Sequence, residues 1–233
     1  IIKTGTEFQK LVAKRIRSFV SNVKVVVVEA NQPLPDALAK NPRYQREWDR
    51  ARALFIENYA TGARTIYVRG ASFGESQGVN NITMLHELWH AATNKKLELG
   101  RQAITKGLHR GSQLVRATED LIQIMNNAGE RFNELAAQNK LPAHISRLAE
   151  FGEIFDDPRE FVAYGMTDPA FQEFLKSAGS IGGTTTYWSM FVDALRRLIG
   201  MDPAETNALA DLLNVTDTIL TARPVGRLDL MEG

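Results

Sequence analysis

The sequence predicts a mainly helical α+β fold, with a small sheet of two to four strands beside one central helix and further helices toward the C-terminus. Three observations predict it. Apolar residues recur at helical spacing along most of the 233 residues. Two segments, "VKVVVVE" from Val23 and "ARTIYVRG" at 63–70, instead have the β-branched content or the alternation of strands. No internal repeat or low-complexity block interrupts the pattern. The expected units are a domain at 1–180 and a C-terminal helical extension at 181–233, packed on it as one compact unit.

Along the chain, "EFQKLVAKRIRSFVS" (7–21) puts Phe8, Leu11, Val12, Ile16, Phe19 and Val20 on one helical face, with Lys and Arg opposite. The valine-rich segment after it is a buried strand. "NQPLPDALAKNP" is a loop with a short helical turn, punctuated by Pro33, Pro35 and Pro42. A helix is expected from about Tyr44 to Tyr59, burying Trp48, Ala51, Leu54 and Phe55. In the strand at 63–70, Thr65, Tyr67 and Arg69 alternate with Ile66 and Val68, which implies one wet face. "ASFGESQGVNN" is a glycine-containing loop whose Asn80 or Asn81 can cap the next helix, which should fade near Asn94.

A long polar helical stretch follows from about Gly100 to Asn139, with breaks at Gly111 and Gly129, and another helix opens at Pro142. "DDPREFVAYGMTDPAFQEFLKSAG" reads as two short helices, each opened by an Asp-Pro pair suited to an N-cap and first helical position. "GSIGGTTTYW" is linker-like, and two terminal helices cover about 188–199 and 203–222.

Composition excludes several classes of function. The net charge of +1 gives no global field for nucleic acid or acidic membrane. The basic face of the 7–21 helix is therefore read as solvated, and nucleic acid is not an expected partner. No apolar run reaches the ~18–20 residues that span a bilayer. The start, "IIKTGTEFQK", has no secretory pattern and no initiator Met, so a piece of a longer polypeptide is expected. The absence of cysteine excludes disulfides and thiolate-bound zinc, leaving imidazole and carboxylate as the strong metal ligands.

The motif that carries chemistry is "HELWH" at 86–90. Residues four apart on a helix share a face, so His86 and His90 can offer nitrogens to one Zn2+ ion. Glu87 stands beside that face, where it can act as general base toward a zinc-bound water and later protonate the leaving amine. Leu85, Leu88 and Trp89 are apolar, which confines the polar trio to one side of a buried helix. The competing interpretation is two core histidines with Glu87 in a salt bridge.

A catalytic zinc site needs a third protein ligand. His109 and His144 sit in polar helical surroundings without a supporting pattern. The downstream carboxylates are Glu150, Glu153, Asp156, Asp157 and Glu160. Glu160 is preferred because "PREFVAYG" half-encloses it among apolar neighbours, where a carboxylate needs a compensating cation; Glu150 comes second. Tyr164, one turn beyond Glu160, can donate to a substrate oxyanion or orient Glu160.

Together, "NITMLHELWHAAT", the preceding "ARTIYVRG" and the later "DPREFVAYGMTDPAFQEFL" resemble the zincin-like domains of large polyvalent proteins in phages and mobile elements, over roughly residues 60–176. The resemblance implies a zincin-like fold with His86, His90 and Glu160 as ligands and Glu87 as base. It also implies a segment of a larger virion or delivered polypeptide, located in the virion or the host bacterium's cytoplasm. The interval of 70 residues from His90 to Glu160 is longer than the twenty to thirty typical of better-known glutamate zincins. In zincins the strand before the metal helix forms the cleft rim, so "TIYVRG" is expected to take an extended peptide by strand addition, under the glycine loop at 70–78.

The expected activity is that of a zinc metalloendopeptidase acting on a peptide or protein, with other segments of the parent polypeptide as further partners. The alternative is a noncatalytic structural or interaction module with a vestigial or structural metal site.

Overall fold

The β-branched run Val25–Val28 and the segment 63–69 form paired strands, but not alone, and the first is not the buried strand expected: it lies at a sheet edge with Val25 and Val27 exposed on one face, and only Val28 is buried. In the computed structural model, β1 (Val23–Val28), β2 (Ala53–Asn58) and β3 (Ala63–Arg69) form one mixed sheet in the order β1-β3-β2. The structure describes residues 16–17, 19–29, 32, 34–50, 52–58, 60–70, 81–109, 111–150, 154–181 and 185–200. The loop expected at 71–80 and the helix expected at 203–222 lie outside them, as do residues 7–15 and 18 of the helix expected at 7–21. β1 runs parallel to β3, with Val23 opposite Arg64, and β2 antiparallel, with Ala53 opposite Val68.

The helix expected at 44–59 is two elements. After the short α1 (Asp36–Ala39), α2 (Pro42–Arg50) ends early and β2 replaces its second half. Pairing with β3 decided this. Asn58 Oδ1 accepts the main-chain N–H groups of Ala60 and Thr61, and Gly62 takes φ 70°, so a tight turn joins β2 to β3. β2 also lacks strand alternation because both its faces are covered. Phe55 packs with Ile66, Val68 and Ala91 on one side, while Ile56 packs with Leu38, Trp48 and Tyr67 on the other. The expected wet face of β3 is corrected for the same reason. Tyr67 is buried under α1 and α2, and the Arg69 guanidinium lies 4.7 Å from the Trp48 ring.

The helical layer is built on α3 (Asn81–Thr105), which runs well past the expected end at Asn94. Leu97 and Gly100 are buried there, and Gly100 faces Thr118 of α4 (Gln113–Ala137) too closely for a side chain. A turn near Gly111 separates the two helices, as expected, and Ser112 caps α4. Gly129 does not break α4; it admits the side chain of Phe155.

The short α5 (Ala143–Ser146) and a single 3-10 turn (Arg147–Glu150) lead to α6 (Pro158–Thr167) and α7 (Pro169–Ser177). Both open as the Asp-Pro pairs dictate. Asp157 and Asp168 accept main-chain N–H groups of the first turns, with Pro158 and Pro169 just inside. A two-stranded ribbon, β4 (Ser180–Ile181) and β5 (Thr185–Thr186), occupies the linker-like segment and leads into α8 (Tyr187–Ile199). Gly200, at φ 82°, closes α8 by donating to Arg196 and Arg197 carbonyls.

α3, α4, α6, α7 and α8 share one core, in which Trp89, Phe161, Phe171, Phe174, Trp188 and Phe191 are fully buried. Each such side chain contributes on the order of 2–3 kcal/mol. The fold is α+β.

Candidate metal centre

α3 holds His86 and His90 one turn apart because Leu85 and Trp89 anchor its opposite side in the core. α6 packs along α3 and brings Glu160 to the same place from its first turn. The carboxylate sits astride the imidazole pair: Oε2 is 3.2 Å from His86 Nε2 and Oε1 is 3.2 Å from His90 Nε2. The two Nε2 atoms are 3.0 Å apart. Among the described residues, His86, His90 and Glu160 are the only group of three or more His, Cys, Asp or Glu side chains able to hold a metal ion.

The donor set fits a small divalent cation. Ligands at ~2.0–2.1 Å in a tetrahedron stand about 3.3 Å from one another, close to the 3.0 and 3.2 Å found here. Two imidazoles and a carboxylate, with no thiolate, suit zinc and its first-row neighbours. Three protein ligands leave coordination open, as in catalytic rather than structural zinc sites.

Electrostatics also favour a cation at this point. Burial opposes charge on Glu160, yet the neighbouring His90 and His86 outweigh it and hold the carboxyl below its usual range. Burial likewise works against a charged His90, but Glu160 and Glu87 prevail and raise it to about 9. Without a metal, the folded site therefore keeps a proton where a metal would sit.

Glu87, 7% exposed, turns toward the sheet, where its Oε2 accepts the main-chain N–H of Phe55 at 2.8 Å. Desolvation raises its pKa, more than the two imidazoles and the Phe55 bond lower it. Tyr164 lies against the cluster, its ring centroid 4.8 Å from that of His86 in an edge-on arrangement.

Three of the other candidates lie elsewhere. His109 is exposed at a left-handed turn after α3. Asp156 is exposed, and Asp157 caps α6 while its carboxylate pairs with the Arg159 guanidinium. Glu153 and the side chains of His144 and Glu150 lie outside the described residues.

The role expected of "TIYVRG" is corrected. β3 is the central strand, hydrogen-bonded to β1 and β2, so it has no edge to offer a peptide. β2, not β3, supplies the main-chain donor at Glu87.

Three contacts were not anticipated: the Phe55 N–H, Asn94 Oδ1 at 3.3 Å from His90 Nδ1, and Thr167 Oγ1 at 3.5 Å from His86 Nδ1. Only Asn94 carries a sequence signal, its place one helical turn after His90.

The fold and site thus define a mainly helical protein with a His-His-Glu cluster open to a divalent cation. Comparison with known proteins gives no match among family models, curated proteins or solved structures. No helix among the described residues is long and apolar enough to cross a membrane.

Proposed function

We propose that this chain is a zinc-dependent metallopeptidase domain that hydrolyses peptide bonds, and a segment of a larger phage or virion polypeptide. One observation carries the enzymatic reading. A carboxylate 70 residues downstream of His90 closes on both imidazoles of the "HELWH" turn, with Glu87 buried beside them.

His86, His90 and Glu160 would hold Zn2+. When bound, zinc supplies Lewis acidity that makes water a nucleophile near neutral pH. Glu87 then takes the proton of the attacking water and passes it to the departing amine. Burial raises the Glu87 pKa above the ordinary carboxylate value, which strengthens it as a base. Tyr164, whose ring packs edge-on against His86, would donate a hydrogen bond from its hydroxyl to the developing oxyanion.

The rival is a noncatalytic module with a structural or vestigial site. The bond from the Phe55 N–H to Glu87 Oε2 favours it, because that contact gives the carboxylate a structural task of its own. The two are separated by metal analysis of protein purified without chelator, paired with digestion of a broad peptide library. Bound zinc with cleavage that is lost in Glu87→Gln supports the peptidase. Bound zinc with no cleavage of any library member supports the rival with a structural site, and absence of both metal and cleavage rejects the peptidase and supports the rival with a vestigial one.

A further inference from the structure

We propose that Asn94 and Thr167 are positioning residues that lock the tautomers of His90 and His86, so that both Nε2 lone pairs face the metal position. The inference rests on the metal-site reading and extends it to two residues that touch no ligand position themselves.

A neutral imidazole carries one N–H, and the group facing each nitrogen decides which nitrogen holds it. His90 Nδ1 lies 3.3 Å from the side-chain oxygen of Asn94, an acceptor, so it bears the hydrogen and donates. His86 Nδ1 lies 3.5 Å from Thr167 Oγ1. That hydroxyl already donates to the Ala163 carbonyl at 2.6 Å, so it can offer His86 only a lone pair. Both Nδ1 atoms therefore meet acceptors, so in the neutral rings that a metal would engage both Nε2 atoms are bases, at a mutual distance of 3.0 Å. Two such lone pairs repel unless a cation lies between them.

The placement of these partners is built into the fold. Asn94 stands one turn beyond His90 on α3, so the helix itself sets their separation. Thr167 is the last residue of α6, and the next residue, Asp168, ends that helix while capping α7. Asp168 accepts from the N–H groups of Ala170 and Phe171 and from Arg147, which fixes the junction and Thr167 with it. α6 thus contributes a ligand from its first turn and an orienting hydroxyl from its last.

The test measures Zn2+ affinity of the full chain by competition with a chelating indicator. The variants are Asn94→Leu and Thr167→Val, with Asn94→Asp and Thr167→Ser as rescues that keep the acceptor. Each first variant should lose ~10–100-fold in Zn2+ affinity, and each rescue should recover it. The metal-free melting temperature, measured alongside, identifies any variant whose fold has failed, and the rescue at that position then decides. Nitrogen-15 spectra of histidine in the zinc-loaded protein should show protonated Nδ1 and metal-bound Nε2 on both rings. Wild-type affinity in Asn94→Leu and Thr167→Val, or ligation through Nδ1, overturns the inference while leaving the metal site intact. Failure of the wild-type chain to take up Zn2+ overturns the metal reading and this inference together.

Discussion

Glu87 Oε2 accepts the main-chain N–H of Phe55 at 2.8 Å, which ties the helix bearing both histidines to the edge strand of the sheet. One side chain thus has a structural duty that can be separated from its proposed chemical one. Glu87→Gln keeps an acceptor for Phe55 and should leave stability and zinc content near wild type, while peptide hydrolysis falls ~10²–10⁴-fold. Glu87→Ala should in addition cost about 1–3 kcal/mol, since the buried Phe55 N–H loses its partner. Denaturant titrations and a fluorogenic peptide assay on both variants check this. Equal stability losses in the two would remove the structural duty from Glu87.

Zinc uptake should be proton-linked. In the metal-free fold His90 holds its proton up to about 9, because Glu160 and Glu87 outweigh the burial that opposes it. At pH 7 the metal must displace that proton. Affinity should therefore rise with pH, by up to about tenfold per unit, and level off above about 9. Calorimetry at pH 7 in buffers of different ionisation enthalpy should detect the released proton. A buffer-independent enthalpy would contradict the assignment.

Removal of the metal should expose the same linkage as stability. His90 has a folded pKa above its unfolded value, so its contribution is complete below about 6.5 and is lost as pH rises through about 9. Thermal melts of chelator-treated protein should fall across that window. His90→Gln should flatten the fall, and adding Zn2+ should raise the wild-type melting temperature in proportion to the logarithm of its free concentration.

The cap on α6 sets an acid limit. Burial works against charge on Asp157, but its bonds from the Arg159 side chain and N–H prevail and lower its pKa. Its contribution is present above the unfolded value near 3.8 and lost as pH falls through the depressed folded one. Asp157→Asn can still cap the helix but cannot pair with Arg159. The variant should be less stable at pH 6 and approach wild type in strong acid. Parallel curves for the two proteins would place the acid sensitivity elsewhere.

Packing behind Glu160 should be intolerant of volume. A Cβ on Gly165 of α6 would lie 2.5 Å from Cζ of Phe191, whose ring is fully buried in α8. Gly165→Val should destabilise by ~1–3 kcal/mol and weaken zinc binding through displacement of α6. Gly111, which faces open space, is the control position: Gly111→Ala should lie within ~0.5 kcal/mol of wild type in the same denaturation experiment.

Local pattern made the two histidines, Glu87 and the Asp-Pro helix starts legible, because a four-residue helical repeat and a capping carboxylate need only near neighbours. Glu160 could be ranked first among five carboxylates from its half-apolar helix, but residue types alone left the others open. β2 resembles a helix in sequence because Trp48, Leu54 and Phe55 fit a helical stripe; the turn at Asn58–Gly62 is the feature that marks it as a strand. The length of α3 is not legible locally because Asn94 looks like an end, whereas contact with α4 carries the helix to Thr105.

By itself, the sequence determined the pairing of two imidazoles on one helical turn, the mainly helical α+β class and the starts of α6 and α7, all of which depend on short-range spacing. Only the tertiary structure decided which distant carboxylate meets the imidazoles, which strand lies at the sheet edge beside Glu87, and which groups face the outer nitrogens of the histidines. Those are contacts between segments tens of residues apart, selected by burial of a shared core rather than by any local preference of the chain.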